Sequence, residues 1–310
     1  MKILGIGESI IDSIHIVEDT NVIPSKTQPD RHVGGSVLSA LVVLSRLGID
    51  CTFVTSLGND AEGRTIRKTV KEEHISLRQR QRQQTKTNTI LVDKHTGKRT
   101  KIRGNIIHTP ITDLTRSFIR RFDLIIIDRH ERQAFYDIVK HKKSSTKILI
   151  DPSTEISPFT MDMIHQADYP ILPIESLIKI GHGDIVTCME RLYTLLDRPI
   201  VVTASDMGSM TFDGFRFTHI SPYKIHTVDD LGAGDVFRGA FAYGIVMGWS
   251  TEKSASFGNY VASLQCTKLG NISAIPSAAE MKQFEQIGRQ KKVSMPMVRN
   301  YFPTSQLKVR

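Results

Sequence analysis

The chain has 310 residues, 40% of them hydrophobic and 24% charged, with 41 Lys+Arg against 32 Asp+Glu, a formal net charge of +9. These proportions match globular proteins and exclude disordered, collagen-like and coiled-coil classes. No apolar run approaches the roughly 20 residues that span a bilayer, and the positive charge leaves an anionic partner open, nucleic acid included.

Taken in chain order, Lys2–Gly7 is a short apolar run that soon meets Glu8 and Asp12. It predicts a buried strand rather than a signal peptide. Ser36–Leu47 reads as a helix, Cys51–Ser56 as a strand and Ala61–Glu73 as a helix. Later strands are predicted at Leu124–Asp128, Lys147–Asp151, Tyr169–Leu172 and Ile200–Thr203. Each is rich in Ile, Val or Leu with few charges, as strands buried on both faces are. Helical spacing covers Arg132–Lys142, Asp184–Leu196, Asp235–Met247, Thr251–Thr267 and Ala278–Ile287. Strands alternating with helices predict an α/β fold with one doubly wound, mostly parallel sheet.

Two stretches break the pattern. One is 14–33; the other is 77–105, where polar and apolar residues alternate around Thr89-Ile90-Leu91-Val92, with a turn at Asp93–Gly97. They predict antiparallel strands forming a small lid apart from the main sheet. The whole of 1–310 reads as one domain with no repeat or linker, and the basic stretch 291–310 as a peripheral tail. Cys51, Cys188 and Cys266 stand far apart in sequence. They suggest buried thiols of a reducing cytoplasm rather than a disulfide framework or metal cluster.

The segment with most chemistry is Val228-Asp229-Asp230-Leu231-Gly232-Ala233-Gly234-Asp235-Val236-Phe237-Arg238-Gly239-Ala240. A small-residue loop runs straight into an apolar helix. Helix N-termini present unpaired N–H groups and partial positive charge, and glycine lets an anion approach them. Asp235, directly after the loop, suits either a general base or a simple helix cap.

The flanks of this run resemble the signature of the ribokinase-like (PfkB) carbohydrate kinase family. Further landmarks resemble it in order: Gly7-Glu8-Ser9-Ile10-Ile11-Asp12, Gly34-Gly35-Ser36, Ser56-Leu57-Gly58-Asn59-Asp60, Ile150-Asp151-Pro152, Val201-Val202-Thr203-Ala204-Ser205-Asp206-Met207-Gly208 and Leu269-Gly270-Asn271 through Pro276. The resemblance implies a three-layer ribokinase-like fold with a β lid, moving the γ-phosphoryl group of ATP to a sugar hydroxyl. It implies Asp235 as general base and the backbone of Gly232, Ala233 and Gly234 as an anion hole. Asp12, Gly34, Gly35 and Ser39 would face the acceptor, and Thr203, Ser205, Gly208 and Asn271 would lie along ATP. Mg²⁺ would accompany the phosphates, with K⁺ as a further cofactor bound through the backbone of Asp229 and Leu231. The family's lids often pair, which suggests a homodimer.

The chain also departs from that pattern. Where the family has Asn-x-x-Glu, this sequence reads Pro173-Ile174-Glu175-Ser176, leaving Glu175 as the candidate metal-ordering acid. Ser39 stands for the usual Asn, and Ser205 for a Gly. His130, after a strand end, is a further acceptor candidate. The lid stretch carries Arg78, Arg80, Arg82, Lys86, Lys94, Lys98, Arg99, Lys101 and Arg103 against Asp93. This reads as a solvated face or as a basic cover over an anionic acceptor. Without interleaved aromatics it offers no nucleic-acid stacking platform. A nucleoside kinase, and a kinase-like protein that binds without efficient transfer, are the rival functions.

Overall fold

Uninterrupted runs of Ile, Val and Leu make the centre of the main sheet, because every such residue can bury on one face or the other. A computed structural model describes residues 1–18, 29–95, 99–104 and 108–286. In chain order the elements are β1 (Lys2–Ile6), β2 (Ile10–Val17), β3 (Asp30–Gly34), α1 (Ser36–Arg46), β4 (Asp50–Leu57), α2 (Ala61–Glu72), β5 (Ser76–Gln81), β6 (Lys86–Asp93) and β7 (Arg99–Arg103). There follow α3 (Arg116–Ile119), β8 (Leu124–Asp128), α4 (Arg132–His141), β9 (Lys147–Asp151), α5 (Pro158–Gln166), β10 (Tyr169–Pro173), α6 (Ile174–Gly181), α7 (Ile185–Leu196) and β11 (Ile200–Thr203). The chain continues with β12 (Ser209–Phe212), β13 (Phe217–Ile220), α8 (Ala233–Val246), α9 (Thr251–Cys266) and α10 (Ala278–Lys282).

Among the described residues the main sheet has the order β13-β12-β11-β10-β9-β8-β1-β4-β5. It is parallel from β11 to β5, and β12 and β13 add an antiparallel edge. Period-two alternation sends successive residues to opposite cores. Ile3, Phe53 and Ile126 meet α1, α8 and α9 on one face. Leu4, Ile125 and Ile127 meet α4, α5, α6 and α7 on the other. No described helix is long and apolar enough to cross a membrane.

The second sheet has the order β3-β2-β6-β7. The sequence reading needs correction in three respects. Ser76–Gln81 is no lid strand; it pairs parallel with β4 as the edge of the main sheet. The first lid strand starts earlier, at Ile10. The central lid pair, β2 with β6, is parallel rather than antiparallel. Residues 19–28, the 291–310 tail, Lys98 and the side chains of Arg99 and Arg103 lie outside the described residues.

Helix α8 crosses α1 at Gly239. A Cβ built there would lie 2.6 Å from the Ala40 carbonyl oxygen and 2.8 Å from Ala40 Cα. Only a residue without Cβ lets the two backbones meet at this distance. Gly239→Ala should therefore destabilise the protein by about 1–3 kcal/mol, the usual cost of overpacking, as measured by urea unfolding. An unchanged midpoint would mean that α8 can slide on α1 without cost.

Candidate functional site

The chain leaves β1 for β4 and β5 on one side, then resumes at β8 on the other. Strand order thus reverses between β1 and β8, and in open parallel sheets the crevice at such a reversal binds ligands. A pocket of about 260 Å³ lies here, with the lid residues Asp12, Lys86, Asn88 and Lys101 in its wall.

One wall is the start of α8. Gly232 is its N-cap in the left-handed conformation, with φ 83°. The N–H groups of Gly232 and Gly234 donate to no protein acceptor among the described residues. N–H groups so placed at a helix N-terminus can receive an anion. Buried Asp229 holds the loop from beneath: Oδ1 accepts from Leu231 N at 2.9 Å and Oδ2 from Gly270 N at 3.0 Å.

Asp235 sits in the first turn of α8 and lines the pocket. Its Oδ1 accepts from Arg238 Nη1 at 2.8 Å, and Arg238 Nη2 lies 2.7 Å from Asp151 Oδ1. Asp151 Oδ2 accepts a hydrogen bond from Ser36 Oγ. Burial pushes the Asp235 carboxyl up, Arg238 pulls it down and Asp151 pushes it up again, to about 6. The group is therefore mainly ionised at neutral pH yet basic enough to take a proton.

Opposite stands Asp12, 2% exposed, accepting from Asn88 Nδ2 at 2.9 Å, with Lys101 Nζ 4.0 Å away. Gly35, at φ 131°, brings the chain so close that a Cβ would lie 2.5 Å from the Glu8 carbonyl oxygen. Gly34 packs against Asp12, where a Cβ would meet Oδ2 at 2.8 Å. Ser39 does not line the pocket; its Oγ donates to Asn271 Oδ1 at 2.9 Å, and Asn271 does line it. A Cβ on Gly232 would lie 2.7 Å from that same Oδ1. Asn271 thus stands between Ser39 and the start of α8 in the pocket wall, and Thr203, Ser205 and Gly208 do not line this pocket.

The far end is a charge network. Lys86 Nζ lies 2.5 Å from Glu8 Oε2, and His108 stands between Glu8 Oε1 at 3.3 Å and Glu131 Oε1 at 3.6 Å. Burial works against ionisation of Glu8, but His108, His130 and Lys86 outweigh it and bring its carboxyl down to about 2. Contacts with Glu131 and Glu8 lift His108 to about 9. Asp128 rises to about 8 through burial, with Glu131 adding to it, although it accepts N–H donors from Glu8 and His130. His130 lines the pocket, and burial pulls its imidazole below the ordinary histidine range.

The expected nucleotide residues lie at the C-terminal end of β11, the edge of the parallel sheet that also carries Asp128 and Asp151. Ser205 keeps a left-handed backbone, φ 52°, although it is not glycine. Glu175 lies in the first turn of α6 and does not line the pocket, and Ser176 is turned away to donate to the Ser153 carbonyl at 2.8 Å. The Leu231 carbonyl, expected to face a monovalent cation, already accepts from Gln265 Nε2 at 2.5 Å. No three or more His, Cys, Asp or Glu among the described residues are grouped to hold a metal.

Glu8, Ser36, Asn88, Asp151 and Arg238 line or brace this pocket without an individual role read from sequence, and Lys86 and Lys101 are read there only as members of the basic lid. Lys86 and Asn88 share a face by strand periodicity, and Arg238 shares one with Asp235 by helical spacing.

A model of the pfkB family carbohydrate kinases matches residues 1–117 and 122–278. The ATP-dependent 6-phosphofructokinase of Thermoanaerobacterium thermosaccharolyticum is 22% identical over 302 residues, covering 90% of this chain and 92% of that protein. The 5-dehydro-2-deoxygluconokinase of Clostridium tetani is 23% identical over 285 residues, covering 82% and 84%. The structure of Arabidopsis thaliana ribokinase complexed with ribose and ATP superposes with a TM-score of 0.78 at 18% identity, covering 93% of this chain and 98% of that one.

The raised His108 gives a stability test. A histidine whose folded pKa exceeds its unfolded value adds stability that is complete below the unfolded value and is lost as pH rises through the folded one. The thermal midpoint of the wild type should exceed that of His108→Gln near neutral pH, and the gap should close as pH rises through about 9. A gap that does not change with pH would contradict the ion pairing.

Proposed function

The chain belongs to the pfkB family of carbohydrate kinases, and on that premise we propose how its pocket moves the γ-phosphoryl group of ATP to a hydroxyl of a sugar or sugar derivative. The acceptor hydroxyl lies between Asp12 and Asp235. Asp235 takes its proton as the oxygen attacks the γ-phosphorus. The new O–P bond forms, the bond to the bridging oxygen breaks, and ADP leaves with that electron pair. Gly232 and Gly234 N–H groups, with Ala233 between them, meet the negative charge on the transferred group. The observation that carries this reading is the pairing of those acceptor-free N–H groups with a carboxylate in the same helical turn.

ATP lies along Thr203, Ser205 and Gly208 in this proposal. The described residues offer no carboxylate cage, so Mg²⁺ fits as an ion carried on the phosphates and water rather than held by protein ligands. Bound there, it would neutralise phosphate charge. The Leu231 carbonyl accepts from the Gln265 amide with one lone pair and keeps a second, so the backbone of Asp229 and Leu231 could still hold K⁺ in this proposal. Turnover should then be higher in potassium than in tetramethylammonium salts, and equal rates would contradict this. Burial of all three cysteines, none in a disulfide, suits a reducing cytoplasmic setting.

A sugar fits the pocket better than a nucleoside does. Among the described residues no aromatic ring apart from His130 lines it, and the apolar side chains there are Ile10 and Leu231, which give a base little to stack on. The basic surplus also has internal partners: Lys86 with Glu8, Arg129 with Glu155, Arg78 with Asp113. That supports a structural role for much of it over a cover aimed at an anionic acceptor.

The test is ADP release with MgATP across neutral sugars, sugar acids and nucleosides, with Asp235→Asn as control. A sugar or sugar derivative should turn over, and the variant should lose at least about a hundredfold, as expected on removing a general base. Turnover of nucleosides alone would overturn the acceptor class. Equal, slow rates in wild type and variant would favour a binding protein over an efficient kinase.

A further inference from the structure

We propose that Arg238 is a positioning residue: its guanidinium fork holds Asp235 and Asp151 together, fixing one oxygen of the base and leaving the other for the acceptor's proton. This rests on the reading of Asp235 as the base.

Arg238 stands three residues after Asp235 in α8, so both side chains leave the same face of the helix. The Arg238 side chain is 8% exposed, that of Asp151 9% and that of Asp235 22%. The fork is divided between two elements. Nη1 donates to Asp235 Oδ1 at 2.8 Å, and Nη2 lies 2.7 Å from Asp151 Oδ1 at the end of β9. Asp151 is itself fixed, its Oδ1 accepting from Ser153 N at 2.9 Å and its Oδ2 from Ser36 Oγ at the start of α1. The base is therefore referenced to both the sheet and a second helix, through a planar group that cannot rotate without breaking both contacts.

The sharing also sets the base strength. Arginine stays charged at any working pH. A whole guanidinium given to a lone buried carboxylate would make it too weak a base, and none would leave it protonated. Here one cation serves two carboxylates. Asp235 meets Arg238 on its own helix, Asp151 from β9 and the Ser36 hydroxyl from α1. Across the pocket stand Asp12 from β2 and Lys101 from β7. The Glu8, Lys86, Asp128, Arg129 and His130 groups line the remaining pocket wall.

A purely structural tie between α8 and β9 would lower stability on mutation without moving the pH profile. The experiment is therefore the acid limb of kcat/KM for the acceptor, in wild type, Arg238→Met, Arg238→Lys, Asp151→Asn and Asp235→Asn, with thermal midpoints to confirm folding. Removing the cation should raise the limb by about one unit or more, since an opposite charge this close lowers a carboxyl pKa by about 1–3 units. Removing Asp151 should lower the limb, because a like charge is lost. Arg238→Lys should keep the limb near wild type but lose kcat, since one ammonium cannot reproduce the fork. If Arg238→Met fails to fold, Asp151→Asn still decides. An acid limb unmoved in the folded variants, with Asp235→Asn inactive, overturns the role of Arg238 alone. Turnover retained in Asp235→Asn overturns the reading of the base beneath it.

Discussion

The contact of α8 with α1 at Gly239 fixes where the start of α8 points. At that start two N–H groups find no protein acceptor among the described residues, and a carboxylate stands in the same turn. Such donors at a helix N-terminus suit an anionic group, which is the part they take in the proposed transfer. The position is set by the sheet as well. Asp128 and Asp151 end adjacent parallel strands, and the reversal of strand order beside β1 opens the space that the lid then covers.

Charge inside the pocket is organised as shared pairs rather than as a field of one sign. Arg238 is divided between Asp235 and Asp151, and His108 between Glu8 and Glu131. Pairing of this kind keeps buried charges tolerable and rotationally fixed. The net charge of +9 is accordingly a weak guide to the ligand.

Much of the fold could be read from the chain because its signals are local. Continuous apolar runs marked β1, β8, β9, β10 and β11, and helical spacing marked α1, α2, α4 and α7 to α9. Where reading failed, long-range pairing decided. Ser76–Gln81 has the alternation of a lid strand, yet backbone pairing with β4 takes it into the main sheet. The parallel pairing of β2 with β6 depends on partners more than sixty residues apart, which no local pattern records. In the site, Asp235 and the small-residue loop were visible as a motif. Asp151 and Arg238 become a pair only when β9 and α8 converge, and Ser39 proved to hold Asn271 rather than face the pocket. The contact of Gln265 with the Leu231 carbonyl likewise joins residues 34 apart and has no local signal.

The central claim is that Asp235 is the base and that its burial, offset by a shared cation, sets its strength. The pH dependence of kcat/KM in the wild type measures this directly. The rate should fall on the acid side with an apparent pKa near 6, as one carboxyl takes up its proton. A profile that stays flat well below that value would contradict the account.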